Sequence, residues 1–199
     1  MPKEDKLIMA VKRELLFKDN YFEGFLQSNS ADFESVITAN FEYIKRGFAE
    51  ENPDYKQPIG YCIIVNPNQK SLFIYQRSSK DQNYGEKRLQ GKYSCGIGGH
   101  IELSDSKDPV RSSLLREISE EVSIDKIDNI KILGYINDDS NSVGKVHFGI
   151  LYIIETDSEI KPKDREIESG KLIEFSKLDK DLNFEDWSRI ALKALENYF

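Results

Sequence analysis

Residues Gly98 to Ile124 read GGHIELSDSKDPVRSSLLREISEEVSI, and this stretch decides how the rest of the chain is interpreted. It opens with two adjacent glycines and closes on the charged run REISEE at positions 116–121. Side chains three and four positions apart lie on the same face of a helix. We therefore expect the carboxylates of Glu117, Glu120 and Glu121 to crowd together on one helix face.

The other face of the same helix is predicted to be buried. Its apolar residues recur at the spacing of a core stripe, and they are Val110, Leu114, Leu115, Ile118 and Val122. The preceding pair Asp108-Pro109 is typical of an N-cap followed by the first helical residue. The segment therefore predicts an amphipathic helix with an apolar face and an acidic face.

Crowded carboxylates repel one another, and each raises the pKa of its neighbour unless a cation compensates. A hard divalent ion bound by oxygen is the natural compensation, and Mg²⁺ prefers a few carboxylates together with substrate phosphates. The glycines before the helix, Gly96, Gly98 and Gly99, let the backbone come close to a ligand. The sequence thus indicates a site for Mg²⁺ or Mn²⁺ and a phosphorylated ligand.

This order of residues resembles the box of the Nudix hydrolase family (MutT-like). That box has an opening glycine, an acidic residue and then Arg-Glu-aliphatic-x-Glu-Glu-x-Gly-aliphatic. Gly99 takes the opening slot, and the later slots are filled by Arg116, Glu117, Ile118, Glu120, Glu121 and Ile124. Two departures stand out: Ser123 replaces the usual glycine, and the loop before Arg116 is longer. Either Asp108 or Asp105 fills the first acidic slot.

The resemblance implies an α/β fold, specifically a Nudix-type α/β/α sandwich with a mixed sheet and an N-terminal helical extension. It also implies hydrolysis of a pyrophosphate linkage in a nucleoside diphosphate derivative. The metal, Mg²⁺ (or Mn²⁺), would be held by Glu117, Glu120, Glu121 and the backbone carbonyl of Gly99. Glu117 and Glu120 would serve catalysis. Arg116 would support them by pairing with Asp108 and orienting the loop.

The resemblance also implies roles for Arg77 and for a glutamate of the later loop, whereas Arg88 and Lys92 are candidates because their polar loop is basic and adjoins the box, and His100 because it follows the two glycines. Glu168 is the expected general base, with Glu166 and the carboxylates of the box helix as rivals, and a solvated charged loop is the simpler interpretation of the segment around Glu168. The expected substrate-binding residues are Arg77, Arg88, Lys92 and His100. The alternative for Arg77 is a solvated arginine at a strand end, and the alternative for Arg88 and Lys92 is a solvated basic loop. The alternative for His100 is a histidine held by backbone hydrogen bonds.

The remaining chain divides into an N-terminal extension at 1–56 and a Nudix domain at 57–199. Within the extension, apolar residues from Phe33 to Phe48 recur at three and four positions behind the candidate N-cap Asp32, which predicts one amphipathic helix. The simpler interpretation packs this helix on the main domain; capping of the substrate site and a homodimer contact are the alternatives. Ranges 57–66 and 71–77 predict a β-hairpin, ranges 130–137, 144–155 and 171–175 predict strands, and range 184–198 predicts a final helix.

Composition limits the partners. The chain has 199 residues and a net charge of −7, which disfavours a general electrostatic grip on long nucleic acid. Two cysteines in strand-like runs indicate buried free thiols in a reducing cytoplasm. We find no apolar run long enough for a membrane span and no signal peptide. These features favour a cytoplasmic protein whose partner is a small nucleoside diphosphate derivative.

Two other functions stay open at this point. One is a non-catalytic Nudix-fold module that binds or senses a nucleotide, which Ser123 and the long loop allow. The other is a structural or oligomeric protein whose acidic helix face is incidental. The complete set of box-helix carboxylates favours the enzyme over both.

Overall fold

The computed structural model describes residues 2–78, 89–105, 107–165 and 167–199. Its α-helices are α1 Arg13–Leu16, α2 Phe33–Asn40, α3 Arg46–Glu51, α4 Pro109–Glu121 and α5 Asp186–Leu195. Its β-strands are β1 Leu7–Lys12, β2 Gly24–Gln27, β3 Phe41–Lys45, β4 Tyr55–Asn66, β5 Ser71–Arg77, β6 Tyr93–Ser94, β7 Gly96–His100, β8 Val122–Ile124, β9 Asn129–Asn137, β10 His147–Glu155, β11 Ile160–Pro162 and β12 Ile167–Glu174.

Within these residues, ten of the strands belong to one sheet, whose main path runs β12-β5-β4-β10-β9-β2. Strands β1 and β7 pair with β4, strand β3 pairs with β1, and strand β6 pairs with β5. Strands β8 and β11 form a separate two-stranded sheet. The prediction of an α/β fold built on a large mixed sheet is confirmed. None of the described helices is long and apolar enough to cross a membrane.

The chain clusters into two compact units. The first comprises residues 1–61, 98–115 and 132–151, and the second comprises residues 62–97, 116–131 and 152–199. Each unit therefore draws on several parts of the chain. The domain boundary expected after residue 56 stays a prediction.

The first unit has an aromatic core. Its rings are Phe17, Phe22, Phe33, Tyr135 and Phe148. Phe33, at the start of α2, lies 5.0 Å from Tyr135 and 5.1 Å from Phe148 between ring centroids. Edge-to-face and tilted aromatic pairs of this spacing add stability beyond the area they bury. Phe17, Phe22 and Phe33 of the N-terminal segment thus contribute to this core, whereas Tyr21 is 58% exposed.

The prediction of a single helix from Phe33 to Phe48 is wrong. Helix α2 ends at Asn40, whose side-chain nitrogen donates to the carbonyl of Val36 at 2.7 Å. Phe41 then takes extended dihedral angles, φ −74° and ψ 154°, and residues 41–45 form β3 in antiparallel register with β1. Aromatic and β-branched side chains favour a strand here, so the N-terminal segment mixes strands with helices and the expected helical extension is corrected.

In the second unit, β4 and β5 form the predicted hairpin, with Val65 opposite Leu72. Strand β12 pairs antiparallel with β5 from Glu174 opposite Ser71 to Ile167 opposite Arg77. The strand expected at 171–175 is therefore longer than predicted, because its first half continues this ladder. The final helix is confirmed as α5, whose Ser188 hydroxyl accepts from the Cys95 amide at 3.1 Å.

Candidate active site

The acidic helix of the sequence is α4. It begins as predicted at Pro109, and Asp108 caps it by accepting from the Arg111 amide at 3.3 Å. Asp105 instead accepts from the Glu102 amide at 2.8 Å in the preceding loop. The carboxylate of Asp108 thus fixes the helix start, and that of Asp105 fixes the loop.

The apolar stripe of α4 is buried with one exception. The buried members are Val110, Leu114, Ile118 and Val122. Leu115 is 38% exposed, so its assignment to the core is wrong. It stands four positions from Arg111 and four from Ser119, both of which are exposed, and therefore shares their face of the helix.

In the second unit, Arg116 binds two of the box carboxylates. Its Nη1 lies 2.5 Å from Glu117 Oε1 and 3.7 Å from Glu120 Oε2. The pairing of Arg116 with Asp108 stays a prediction. The side chain of Glu117 is 15% exposed, whereas that of Glu120 is 56% exposed. The helix therefore presents one sheltered carboxylate and one open to solvent.

Glu121 shares the sheltered side. Burial raises the pKa of the Cys62 thiol, and the charges of Glu121 and Glu117 raise it further, so both carboxylates act on β4 at Cys62. The backbone carbonyl of Glu121 accepts from the amides of Lys163 and Asp164 at 2.8 and 3.3 Å. These bonds attach the segment before β12 to the end of the box helix.

Strand β12 opens with an irregularity at Glu168. Ile167 is opposite Arg77, but Ser169 is opposite the adjacent Gln76, so Glu168 is the extra residue of a β-bulge. A bulge re-aims the side chain that it carries. Glu168 is exposed. The structure therefore brings the expected general base beside the strand end that carries Arg77.

Arg77 itself is tightly held. Its Nε makes a very short ion pair with Glu185, and its guanidinium lies 5.5 Å from the Tyr75 ring centroid. The Arg77 amide donates to the carbonyl of Lys92 at 2.9 Å. The backbones of these two expected phosphate-binding residues are therefore adjacent. Arg88, another expected contact, and Glu166, the rival base, lie outside the described residues.

The donors on α4 suit a hard cation. All three are carboxylate oxygens, the ligands that Mg²⁺ and Mn²⁺ prefer. Arg116 balances one of the three negative charges, which leaves an excess that a divalent ion would meet. Across the described part of the chain, however, the ligand oxygens of Glu117, Glu120 and Glu121 are not gathered within 4.8 Å of one another. Arg116 holds two of them in ion pairs.

The glycines of the box belong to the first unit, within β7. A Cβ on Gly98 would lie 2.3 Å from the Gly60 carbonyl oxygen, so any side chain there collides with backbone. Gly99, the predicted carbonyl ligand, is half-buried in the same strand. The close approach of β4 thus explains why position 98 is a glycine.

His100 follows these glycines and is held by side chains. Its Nε2 lies 2.8 Å from Gln57 Oε1, 3.2 Å from His147 Nε2 and 3.6 Å from Glu50 Oε1. Burial lowers the pKa of His147, which favours its neutral form. The sequence pointed to His100 alone and did not connect it with His147 or Glu50. The available signal was that the chain has two histidines in all.

Comparisons with known proteins agree with this architecture. A family model described as NUDIX domain matches residues 56–195. Protein YmaB of Bacillus subtilis (strain 168) is 35% identical over 211 residues, which cover 98% of this chain and 100% of YmaB. The crystal structure of Tm1382, named as a candidate Nudix hydrolase, is 28% identical with a TM-score of 0.82, covering 98% of this chain and 100% of Tm1382.

A more distant structure shares the fold. It is the NUDIX domain of Shewanella oneidensis NrtR complexed with ADP ribose, which is 11% identical with a TM-score of 0.55. That similarity covers 72% of this chain and 88% of the NrtR domain. The family match over most of the chain and the relative that aligns along its whole length confirm the family expected from the box. The chain belongs to the NUDIX family of pyrophosphohydrolases.

Proposed function

We propose that the protein hydrolyses a pyrophosphate linkage in a nucleoside diphosphate derivative, with Mg²⁺ or Mn²⁺ held by Glu117, Glu120 and Glu121. The observation that carries the proposal is the composition of the second unit. It contains these three carboxylates, and it also contains the bulge that sets Glu168 beside Arg77. A metal-binding face and a base next to a cation are the parts that phosphoanhydride hydrolysis needs.

The physical problem for such an enzyme is the charge of the substrate. A diphosphate repels a nucleophile, and a divalent ion neutralises that charge and makes water more acidic. Glu117 is the sheltered ligand, and Glu120 is open enough for an incoming substrate to reach. Glu121 is fixed by the hydrogen bonds that its carbonyl receives from Lys163 and Asp164. The helix thus offers carboxylates with different access to solvent.

The other residues act on the substrate and the water. Arg77, Lys92 and Arg88 bind phosphate oxygens. Glu168 removes a proton from the attacking water as its oxygen forms a bond to phosphorus. The phosphorus–oxygen bond of the bridge breaks, and two phosphorylated products and one proton are released. Arg116 orients Glu117 and Glu120 through its ion pairs.

The substrate class is proposed at the level of a nucleoside diphosphate joined to a second group. The NrtR domain with ADP ribose shows one such compound bound to this fold. ADP-ribose therefore belongs in a test panel beside nucleoside triphosphates, other nucleoside diphosphate sugars and dinucleoside polyphosphates.

The test is turnover of this panel by the purified chain with Mg²⁺ and with Mn²⁺, read as release of phosphate or nucleotide. Glu120→Gln should abolish turnover and still fold, because the Glu120 side chain is exposed. Glu159→Gln, an exposed glutamate paired with Lys161, is the matched control and should keep full activity. If the chain binds nucleotide in a metal-dependent way but does not turn it over, the proposal of an enzyme is wrong and a non-catalytic nucleotide-binding module is favoured. Equal turnover by Glu120→Gln would contradict the assigned ligands.

A further inference from the structure

The two histidines of this chain, His100 and His147, meet in the first unit. They are 47 positions apart, yet their Nε2 atoms lie 3.2 Å from each other. A carboxylate oxygen of Glu50 lies 3.6 Å from His100 Nε2. One ligand atom from each of the three residues lies within 4.8 Å of the others, and in the described ranges no other trio of His, Cys, Asp or Glu has this spacing.

We propose that Glu50, His100 and His147 form a binding site for a divalent transition-metal ion of the Zn²⁺ type, in addition to the carboxylate site of the box helix. The three residues come from α3, β7 and β10 and include none of the box carboxylates. A bound ion would therefore tie the N-terminal segment to the strand that carries the box glycines.

The distances suit such an ion. Zn²⁺ binds imidazole nitrogen and carboxylate oxygen at about 2.0–2.2 Å in a tetrahedron, which sets neighbouring ligand atoms about 3.3 Å apart. The observed separations of 3.2 Å between the histidine nitrogens and 3.6 Å from His100 to Glu50 lie on either side of that value. Coordination also requires His100 to move its proton to Nδ1, because its Nε2 donates to Gln57 Oε1 at 2.8 Å when no ion is bound.

His147 is already in the form that binds a metal. Its Nδ1 lies 2.8 Å from the Val143 carbonyl oxygen. Because a carbonyl only accepts hydrogen bonds, Nδ1 carries the proton, and the lone pair belongs to Nε2, which faces His100. Metal-binding histidines commonly have their second nitrogen anchored to a carbonyl or carboxylate in this way.

The surrounding contacts hold the ligands in place. Lys56 Nζ donates to the carbonyl of His147 at 3.1 Å, which fixes the backbone at this ligand. Arg46 Nε lies 3.2 Å from Glu50 Oε1 along α3, which orients the carboxylate. A site whose ligands are preorganised loses less conformational freedom when the ion binds.

Gln57 supplies an independent observation. Its side chain is fully buried and reaches the cluster through the 2.8 Å contact of its Oε1 with His100. Its amide nitrogen has no hydrogen-bond partner in the described structure. A buried donor without a partner is costly, and a water or anion on the ion would accept its hydrogen bond. Three protein ligands leave a fourth position for such a group.

The ligand chemistry separates this site from that of the box. Imidazole nitrogen suits Zn²⁺ and its neighbours in the first transition series, whereas Mg²⁺ prefers oxygen. An excess of Mg²⁺ should therefore fill the box carboxylates and leave this cluster open to Zn²⁺ or Co²⁺.

The experiment uses the full chain, stripped of metal with a chelator and held in millimolar Mg²⁺. Zn²⁺ is titrated by calorimetry, and Co²⁺ by its visible absorption, which reports nitrogen ligands and coordination number. One equivalent of each ion should bind. Glu50→Gln, His100→Ala and His147→Ala should each weaken binding at least about tenfold. The controls Glu51→Gln, the next residue on α3, and Glu120→Gln should bind as tightly as the native chain.

A second measurement needs no variant. The ring protons of the two histidines give two separate sets of NMR signals, and both sets should shift together with one equivalent of Zn²⁺. Binding without a shift of both sets would overturn the proposal, as would full affinity in the His147→Ala or Glu50→Gln chain. Absence of Zn²⁺ and Co²⁺ binding in the native chain would also overturn it. None of these readouts depends on hydrolysis.

Discussion

Lys56 Nζ lies 2.8 Å from Asp139 Oδ1, and the lysine side chain has no exposed surface. The same ammonium donates to the carbonyls of Gly144 and His147. Arg13 also pairs with Asp139. Burial opposes the charge of Asp139, but the hydrogen bonds from Arg13 and Lys56 outweigh it and hold the pKa of that carboxyl well below its usual range. This network anchors the turn that leads into β10.

Asp139→Asn should lower the free energy of unfolding by about 3 kcal/mol, because it leaves the buried charge of Lys56 without its counter-ion. Lys56→Met should cost less, since it removes the buried charge and Asp139 keeps Arg13. Urea unfolding followed by circular dichroism measures both. The control is Asp128→Asn, which breaks the exposed ion pair with Lys126 and should have no measurable effect. Equal losses for Asp139→Asn and the control would contradict the role of the buried pair.

We expect Glu155 to contribute to the free energy of unfolding in a way that depends on acidic pH. Hydrogen bonds from Lys131 first, then from Tyr198 and Asn129, lower its pKa from 4.5 to about 2. A carboxyl whose pKa is lower in the folded state stabilises the fold above its unfolded pKa, and this contribution is lost as the pH falls through the folded value. The stability gap between the native chain and Glu155→Gln should be constant at neutral pH. It should shrink between about pH 4.5 and 2.

Urea unfolding at several pH values in that window tests the prediction. The exposed variant Glu159→Gln serves as the control and should follow the native chain throughout. A gap for Glu155→Gln that stays unchanged down to pH 2 would show that its hydrogen bonds do not depend on its charge.

Gly98 and Gly60 face each other but should tolerate substitution differently. A Cβ on Gly98 would meet the Gly60 carbonyl oxygen at 2.3 Å, whereas a Cβ on Gly60 would lie 3.4 Å from the Leu114 Cβ. Gly98→Ala should destabilise the chain by about 3 kcal/mol, the upper end of the cost of overpacking, and Gly60→Ala by much less. Thermal unfolding of the two variants compares them. Native stability of Gly98→Ala would mean that the two strands separate easily at this point.

Glu168→Gln tests the proposed general base. Loss of a general base typically slows a reaction by about a hundredfold or more, so kcat should fall by that factor. The KM should change little, and the acidic limb of the pH–rate profile should disappear. The control Glu174→Gln alters the other end of β12, where the carboxylate pairs with Lys177, and should leave the profile intact. An unchanged kcat in Glu168→Gln would show that another residue is the general base.

Local patterns in the sequence were enough for most of the elements. Periodicity and the Asp108-Pro109 start predicted the box helix, and turn residues between two apolar runs predicted the hairpin of β4 and β5. The same periodicity failed between Phe33 and Phe48, because residues 41–45 satisfy both a helical spacing and a strand composition. Pairing with β1 decides between them, and that contact is not local. The prediction that Leu115 is buried was wrong because the spacing of apolar residues does not show where the buried face of a helix ends.

Which side chains pair with one another could not be predicted from the sequence. Arg77 and Glu185 are 108 positions apart, and His100 and His147 are 47 apart. No short spacing rule connects such residues, since the sheet brings them together. The box carboxylates were accessible to prediction because all of them lie within two turns of one helix.

Ser123 stands where the family pattern has a glycine, and its backbone conformation does not require one. It lies in β8, opposite Lys161 of β11. Outside glycine, the described residues contain a positive φ at Lys70 but not at Ser123. The backbone here is extended and open to any side chain. A search pattern that accepts strand-forming residues at this position would recover divergent relatives that a strict glycine discards.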